Sequence, residues 1–494
     1  AIRCDRRIIM IKLSQLTLKE KITLLTGRDF WRAEDLNGKL PEIYFCDGPS
    51  GLRKCNPTEG EGAICATAMP TLSALATTWN TRLAYLDGET IADECVEKGV
   101  SVILAPGVNI KRTPLCGRNF EYFSEDPYFS GVMAKAFIEG VQSKGVGASL
   151  KHFACNNREY DREFQSSEVD ERALREIYFP AFEIALQARP YTVMCAYNPI
   201  NGVYASENKK MLADVLRKRL GFDGLVMSDW GAVHNGYKAV RAGLDLRMPH
   251  DDESFAVLKD AYEKGYLTIE QIDESVSRVL ALAEKVSSTK KHAQTEKSQR
   301  HSNAVKIAEE GIVLLKNEDG ILPVKGKKIA VSGAFAANPA IGGGGSSTVS
   351  TAYKIPTLAK AIENITGEKV ESSVGVYENT SGTAKLAYSQ AYNADVCVVA
   401  VGDGMQKISE GCDRNTLKLS PEQENYIIEL SRYNKNLVDV IESGSAVDVS
   451  AFESYAKAII FAGYAGEGVN EALAEIITGK VCPSGKLAET FPYS

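Results

Sequence analysis

Short apolar runs alternate with longer amphipathic stretches along the first half of the chain. Ile43–Cys46, Ser101–Ala105, Ala148–Leu150, Thr192–Ala196 and Leu225–Ser228 read as buried strands. Helix-period stretches such as Arg172–Gln187 lie between them. This alternation predicts βα units and a parallel sheet. Several of the strands run out into polar residues: Asp47, Asn109, Lys151 with His152, Asn198, and Asp229. In a (β/α) barrel, side chains just past the C-terminal strand ends line the active face. Closure of this half would therefore gather those groups around one mouth.

The pattern breaks at residues 286–303, VSSTKKHAQTEKSQRHSN, which are almost without apolar content and read as a solvated linker or an exposed helix end. It then restarts, with Lys328–Ser332, Asp395–Gly402, Leu437–Glu442 and Ala458–Phe461 as strands and helical stretches near 357–364, 421–433 and 467–478. The expected fold class is α/β, with an N-terminal TIM-like (β/α) barrel over 11–285, a linker over 286–308 and a C-terminal open α/β sandwich over 309–494. A length of 494 residues, well past the ~250–300 at which single cores stop growing, agrees with two domains.

A net charge of −7 argues against nucleic acid or an anionic membrane surface as the partner. No window approaches the ~18–20 apolar residues of a membrane span, and the N-terminal apolar run is too short for a secretory signal. The expectation is a cytoplasmic protein, or a secreted one if a signal was removed ahead of residue 1. Eleven cysteines without a CxxC pair suggest neither a zinc ribbon nor a redox motif. Cys55 and Cys65 are close enough to bridge, but reduced, buried thiols are the better reading. Five histidines without metal-ligand spacing imply no metal site, and no organic cofactor is suggested.

Candidate chemistry lies at the strand exits. LVMSDWGA (225–232) delivers Asp229 with Trp230 beside it, a flat apolar face on which a pyranose ring can rest; an isolated Asp there would simply cap a helix. SLKHFACNNRE (149–159) supplies the adjacent donors Lys151 and His152, of the kind sugar hydroxyls need. DGPSGLR (47–53) is a turn that either caps itself or aims Asp47 and Arg53 into the mouth. RNFEYFSEDP (118–127) sets Arg118 in an aromatic-acidic loop, and SEGCDR (409–414) follows a strand of the second half. GGGGSSTV (342–349) lacks the Lys-Ser/Thr of a phosphate loop and fits a loop reaching into a neighbouring cleft.

In order, DGPSGLR, GRNFEYFSEDP, KHFACNNRE, CAYN, MSDWGA, VLLKNEDGILP, GGGGSS, SEGCDR and SGKLAETFP resemble the segments of glycoside hydrolase family 3 from about Leu18 to Pro492. The resemblance implies a retaining β-glycosidase, foremost a β-glucosidase removing glucose from the non-reducing end of β-glucosides or cello-oligosaccharides. It implies Asp229 as nucleophile and Glu410 as acid/base. The sugar would be held by Asp47, Arg53, Arg118, Lys151, His152, Arg162 and Tyr197, with Trp230 alongside and Ser346 closing the site. Such chemistry needs two carboxyl groups about 5–5.5 Å apart, so the cleft is expected between the domains. Lys151 and the arginines would keep Asp229 ionised, while a cleft-bound Glu410 would have a raised pKa. β-Xylosidase or α-arabinofuranosidase activity, a phosphorylase, and a non-catalytic sugar-binding protein are the alternatives. A homo-oligomer is left open. Many members of the family continue past SGKLAETFP into further sandwich residues and another domain.

Overall fold

The computed structural model describes residues 11–55, 64–290, 292, 295–375 and 384–493. Five parallel strands pair in chain order: β1 (Phe45–Asp47), β2 (Val102–Leu104), β3 (Gly147–Phe153), β4 (Thr192–Cys195) and β5 (Leu225–Ser228). Every residue in them is buried, as expected when both faces of a parallel sheet are covered. Single bridges carry the sheet round to its start. Met227 pairs with Leu246 and Thr26 with Arg247, both parallel; Gly27 pairs with Ala33 and Arg32 with Tyr44, both antiparallel. The ring is thus a barrel with one reversed stave around residues 31–33. The sequence pattern missed residues 25–28, 31–33 and 244–248 as staves because each contributes too few paired residues to make an apolar run.

The predicted helix over Arg172–Gln187 is broken into short pieces. Pro180 has no N–H to donate, and the Phe179 amide bonds instead to Leu174 O at 2.9 Å, a widened turn.

The polar stretch taken as a linker is largely helical. One helix runs over Ile269–Ser288 and the next over Lys297–Gly311, so the chain crosses between them within 289–296. The second helix buries Arg300, Asn303, Ala304, Ile307 and Ala308. Arg300 reaches Glu94 at 3.2 Å and Glu97 at 2.9 Å on the barrel helix Thr81–Lys98. Its hydrophilic composition reflects these pairings, which cannot be seen in a single segment.

The second half forms a six-stranded sheet from β6 (Val313–Asn317), β7 (Ile329–Ser332), β8 (Glu371–Ser373), β9 (Val396–Gly402), β10 (Leu437–Glu442) and β11 (Ala458–Phe461). The spatial order is β8-β7-β9-β10-β11-β6, parallel except for the edge strand β6. Strand alternation sorts the core. Val396, Val398 and Ala400 face helices Leu358–Thr366 and Val469–Thr478, whereas Cys397, Val399 and Val401 face Ala384–Tyr392 and Pro421–Tyr433. Cys55 and Cys65 are both free thiols. No helix among the described residues is long and apolar enough to cross a membrane.

Candidate active site

The C-terminal ends of the barrel strands and two loops of the sandwich enclose a pocket of about 170 Å3. Asp47 ends β1, Lys151 and His152 lie in β3, and Tyr197 and Asp229 follow β4 and β5. Together with Arg53, Arg118 and Trp230 they line the barrel side, and Ser346 and Glu410 come from the sandwich. Of the catalytic and sugar-holding residues implied by the resemblance, Arg162 alone is outside the lining; it lies 2.9 Å from Glu410 Oε1. Asn109 and Asn198 are spent elsewhere. Asn109 exchanges hydrogen bonds with the His152 backbone at 2.9 and 3.0 Å, and Asn198 donates to Ala154 O and Pro199 O.

Phe30, Trp31 and Met194 complete the lining and were not legible in the sequence. The Trp31 and Trp230 rings stand 5.7 Å apart, and the Trp230 indole N–H donates to Phe30 O at 2.8 Å, which fixes an aromatic wall. The adjacent Phe-Trp pair was the available signal, but it belongs to no periodic element.

Asp229 is 7% exposed. Its Oδ1 accepts from the Trp230 amide at 2.8 Å, while Oδ2 is buried without a hydrogen-bond partner among the described residues. Opposite it, at 3.6 Å, is His152 Nε2. Burial, reinforced by Arg118, Lys151 and Arg162, pushes the His152 pKa well below its usual value, so the ring is neutral. Its Nδ1 lies 3.3 Å from the Tyr122 hydroxyl and from Asn109 Oδ1, which holds the ring's orientation.

The cations are ordered by Glu121, fully buried inside the aromatic-acidic loop and unassigned in the sequence reading. Arg118 donates to both its oxygens at 2.8 Å, and Lys151 Nζ lies 3.1 Å away. Burial would raise the Glu121 pKa, but the two cations outweigh it and hold it at about 2. The fork leaves Arg118 Nη1 as a buried donor without a hydrogen-bond partner among the described residues, 3.5 Å from Glu410 Oε1. Glu121→Gln removes a charge facing two buried cations; it should cost about 3–5 kcal/mol, read as a lowered denaturation midpoint in urea.

Glu410 is carried by a loop zipped to the glycine loop. Gly344 N donates to Ile408 O at 3.0 Å and Glu410 N to Gly344 O at 3.2 Å. A Cβ on Gly345, whose φ is +94°, would fall 2.4 Å from Glu410 Cβ. The Ser346 amide donates to Glu410 Oε2 at 2.8 Å. These contacts reverse the expected electrostatics. Burial opposes ionisation of Glu410, but Arg118, Arg162 and the Ser346 donors win and hold its pKa well below the carboxylate range. Burial raises the pKa of Asp229 against Arg118, with the Glu410 charge adding to the rise. It also pushes Asp47 up to about 7, although Arg53 Nη1 donates to its Oδ2 at 3.0 Å. Charge counting along the sequence placed the arginines beside Asp229; the fold brings two of them onto Glu410 as well.

The pocket therefore joins three carboxyl groups, the cations facing them and an aromatic wall, contributed by both domains. The chain matches the model of the glycosyl hydrolase family 3 N-terminal domain over residues 55–282 and that of the C-terminal domain over 312–494. It is 41% identical over 97% of its length to thermostable β-glucosidase B of Acetivibrio thermocellus, and 40% identical over 97% to an exo-α-(1→6)-L-arabinopyranosidase of Bifidobacterium longum. It spans 65% and 66% of the lengths of those two proteins. A crystal structure of a β-glucosidase from Bifidobacterium adolescentis superposes with a TM-score of 0.91 at 40% identity, covering 98% of this chain and 71% of that one. On the ordered motifs, the matched domains and the shared architecture, this chain belongs to glycosyl hydrolase family 3.

Proposed function

We propose that the protein is a retaining β-glucosidase that removes glucose from the non-reducing end of β-glucosides or cello-oligosaccharides by double displacement. The observation that carries this reading is the unpartnered Asp229 Oδ2 facing a sugar-sized pocket, with Glu410 of the other domain on the same cavity. Other buried acceptors among the described residues also lack partners, those of Asp87 and Asp439 for example, but they lie off this cavity, whereas Asp229 lines it together with Glu410.

Asp229 attacks the anomeric carbon and forms a covalent glycosyl-enzyme. Glu410 protonates the departing oxygen, then takes a proton from the water that releases the sugar. Neutral His152, Lys151 and Arg118 donate to the sugar hydroxyls, and the Trp31–Trp230 wall covers the ring's apolar face. To act as the acid, Glu410 must hold a proton that Arg162 and the Ser346 amide disfavour, so proton uptake is coupled to loosening of those contacts. The ten cysteines among the described residues are unbridged, which favours a reducing, cytoplasmic setting.

In this reading Asp47, on the pocket lining, accepts from O4 and O6 of the hexose. A pentopyranoside lacks the O6 group, and losing a hydrogen bond to a charged partner costs roughly 1.5–3 kcal/mol. We expect kcat/KM for p-nitrophenyl β-xyloside to fall tens-fold below that for the glucoside, and Asp47→Ala to narrow the gap. The arabinopyranosidase relative favours a second reading, in which a pentopyranoside is the preferred substrate. A panel of p-nitrophenyl β-glucoside, β-xyloside and α-L-arabinopyranoside decides between them: a preferred pentoside overturns the glucosidase assignment.

A further inference from the structure

Glu410 lies on a loop of one domain and must meet a sugar bound by the other. Two carboxylates with no direct place at the sugar bind the two domains together beside it. Asp413, three residues past Glu410, accepts from the Gly117 amide at 3.0 Å, from the Glu159 amide at 3.0 Å and from the Tyr160 amide at 2.9 Å, all on the barrel. In return, Glu159 of the barrel accepts from the Gly411 amide of the Glu410 loop at 2.8 Å. The same Glu159 oxygen accepts from Arg162 Nη1 at 2.6 Å, and Arg162 Nη2 is 2.9 Å from Glu410. Glu159 is 2% exposed. The Arg414 amide adds a bond to Leu115 O at 2.8 Å. The fit is close: a Cβ on Gly117 would lie 1.8 Å from Cys412 O and 2.4 Å from Ser409 O.

We propose that Glu159 and Asp413 are positioning residues, forming a reciprocal clasp in which each domain's carboxylate holds the other domain's backbone amides and so sets the acid/base loop against the sugar. This rests on Glu410 being the acid/base. A loop without regular secondary structure has no intrinsic register against a neighbouring domain. The clasp supplies one, with carboxylates that accept from four backbone amides, three on the barrel and one on the loop. Arg162 extends the same network to the Glu410 side chain.

The test uses Glu159→Gln, Asp413→Asn and Gly117→Ala in the full chain, each compared on cellobiose and on 2,4-dinitrophenyl β-glucoside. The good leaving group of the second substrate needs no protonation, so misplacing the acid spares its glycosylation. A misplacement of about an ångström costs roughly 10²-fold in rate; that loss is expected in kcat/KM for cellobiose, with the dinitrophenyl glucoside little changed. Gly117→Ala wedges the loop without touching either carboxylate and carries the test where a carboxylate variant fails to fold. Equal losses on both substrates, or no loss on cellobiose, overturn the clasp. Glu410→Ala, run alongside, separates the two readings: if it spares cellobiose, the acid/base assignment itself fails, whereas selective loss there with unselective loss in the three variants rejects the clasp alone.

Discussion

Asp229→Gly is expected to reduce hydrolysis on the order of 10⁶-fold, the scale on which removal of a covalent nucleophile acts. Around the aspartate, Oδ1 is occupied by the Trp230 amide, and Oδ2 has the neutral His152 ring 3.6 Å away. Glycine leaves the anomeric face open with no carboxylate to attack it. Added azide should then enter that space and turn over an activated aryl β-glucoside to the α-glucosyl azide, identified by its anomeric proton coupling. Near-normal hydrolysis by this variant, or a β-configured azide product, would remove Asp229 from the nucleophile's role. His152 and Lys151 stay in place in this variant, so loss of sugar binding is tested separately by glucose inhibition.

The second large effect is expected at Glu410. Glu410→Ala should cost about 10²–10⁴-fold on cellobiose, the usual worth of general acid–base catalysis, and far less on substrates with good leaving groups. Azide should here give the β-glucosyl azide, because it intercepts the glycosyl-enzyme from the opposite face. Arg162 supplies an independent reading. Arg118 and Arg162 hold the Glu410 pKa down, so Arg162→Gln should raise it. The acid works in its protonated form, and activity is lost as pH rises through its pKa. The basic limb of the pH profile for cellobiose should therefore move to higher pH in Arg162→Gln; an unmoved or lowered limb would disconnect Glu410 from that ionisation.

Most of this site was visible before the fold was known because strand ends in a parallel barrel converge. Asp47, Lys151, His152 and Asp229 each follow an apolar run, and the period of the runs alone placed them on one rim. Glu121 and Glu159 stayed hidden for a physical reason. Their significance lies in buried ion pairs and backbone acceptance from residues distant in the chain, such as Lys151 and Gly411. A carboxylate in a loop carries no mark of that in its neighbours. Phe30 and Trp31 were missed likewise, since a stave closed by single bridges makes no periodic run.

The chain's pattern determined the two-domain α/β organisation, the strand exits that carry Asp229, and the loop that carries Glu410, because periodicity and turn chemistry are local properties. The tertiary structure decided which charges face one another. It turned a polar stretch into a half-buried helix through Arg300, Glu94 and Glu97. It also set Arg118 and Arg162 against Glu410 and left Asp229 Oδ2 unpaired. Desolvation and short-range Coulomb forces depend on distance in space, and separation along the chain does not encode them.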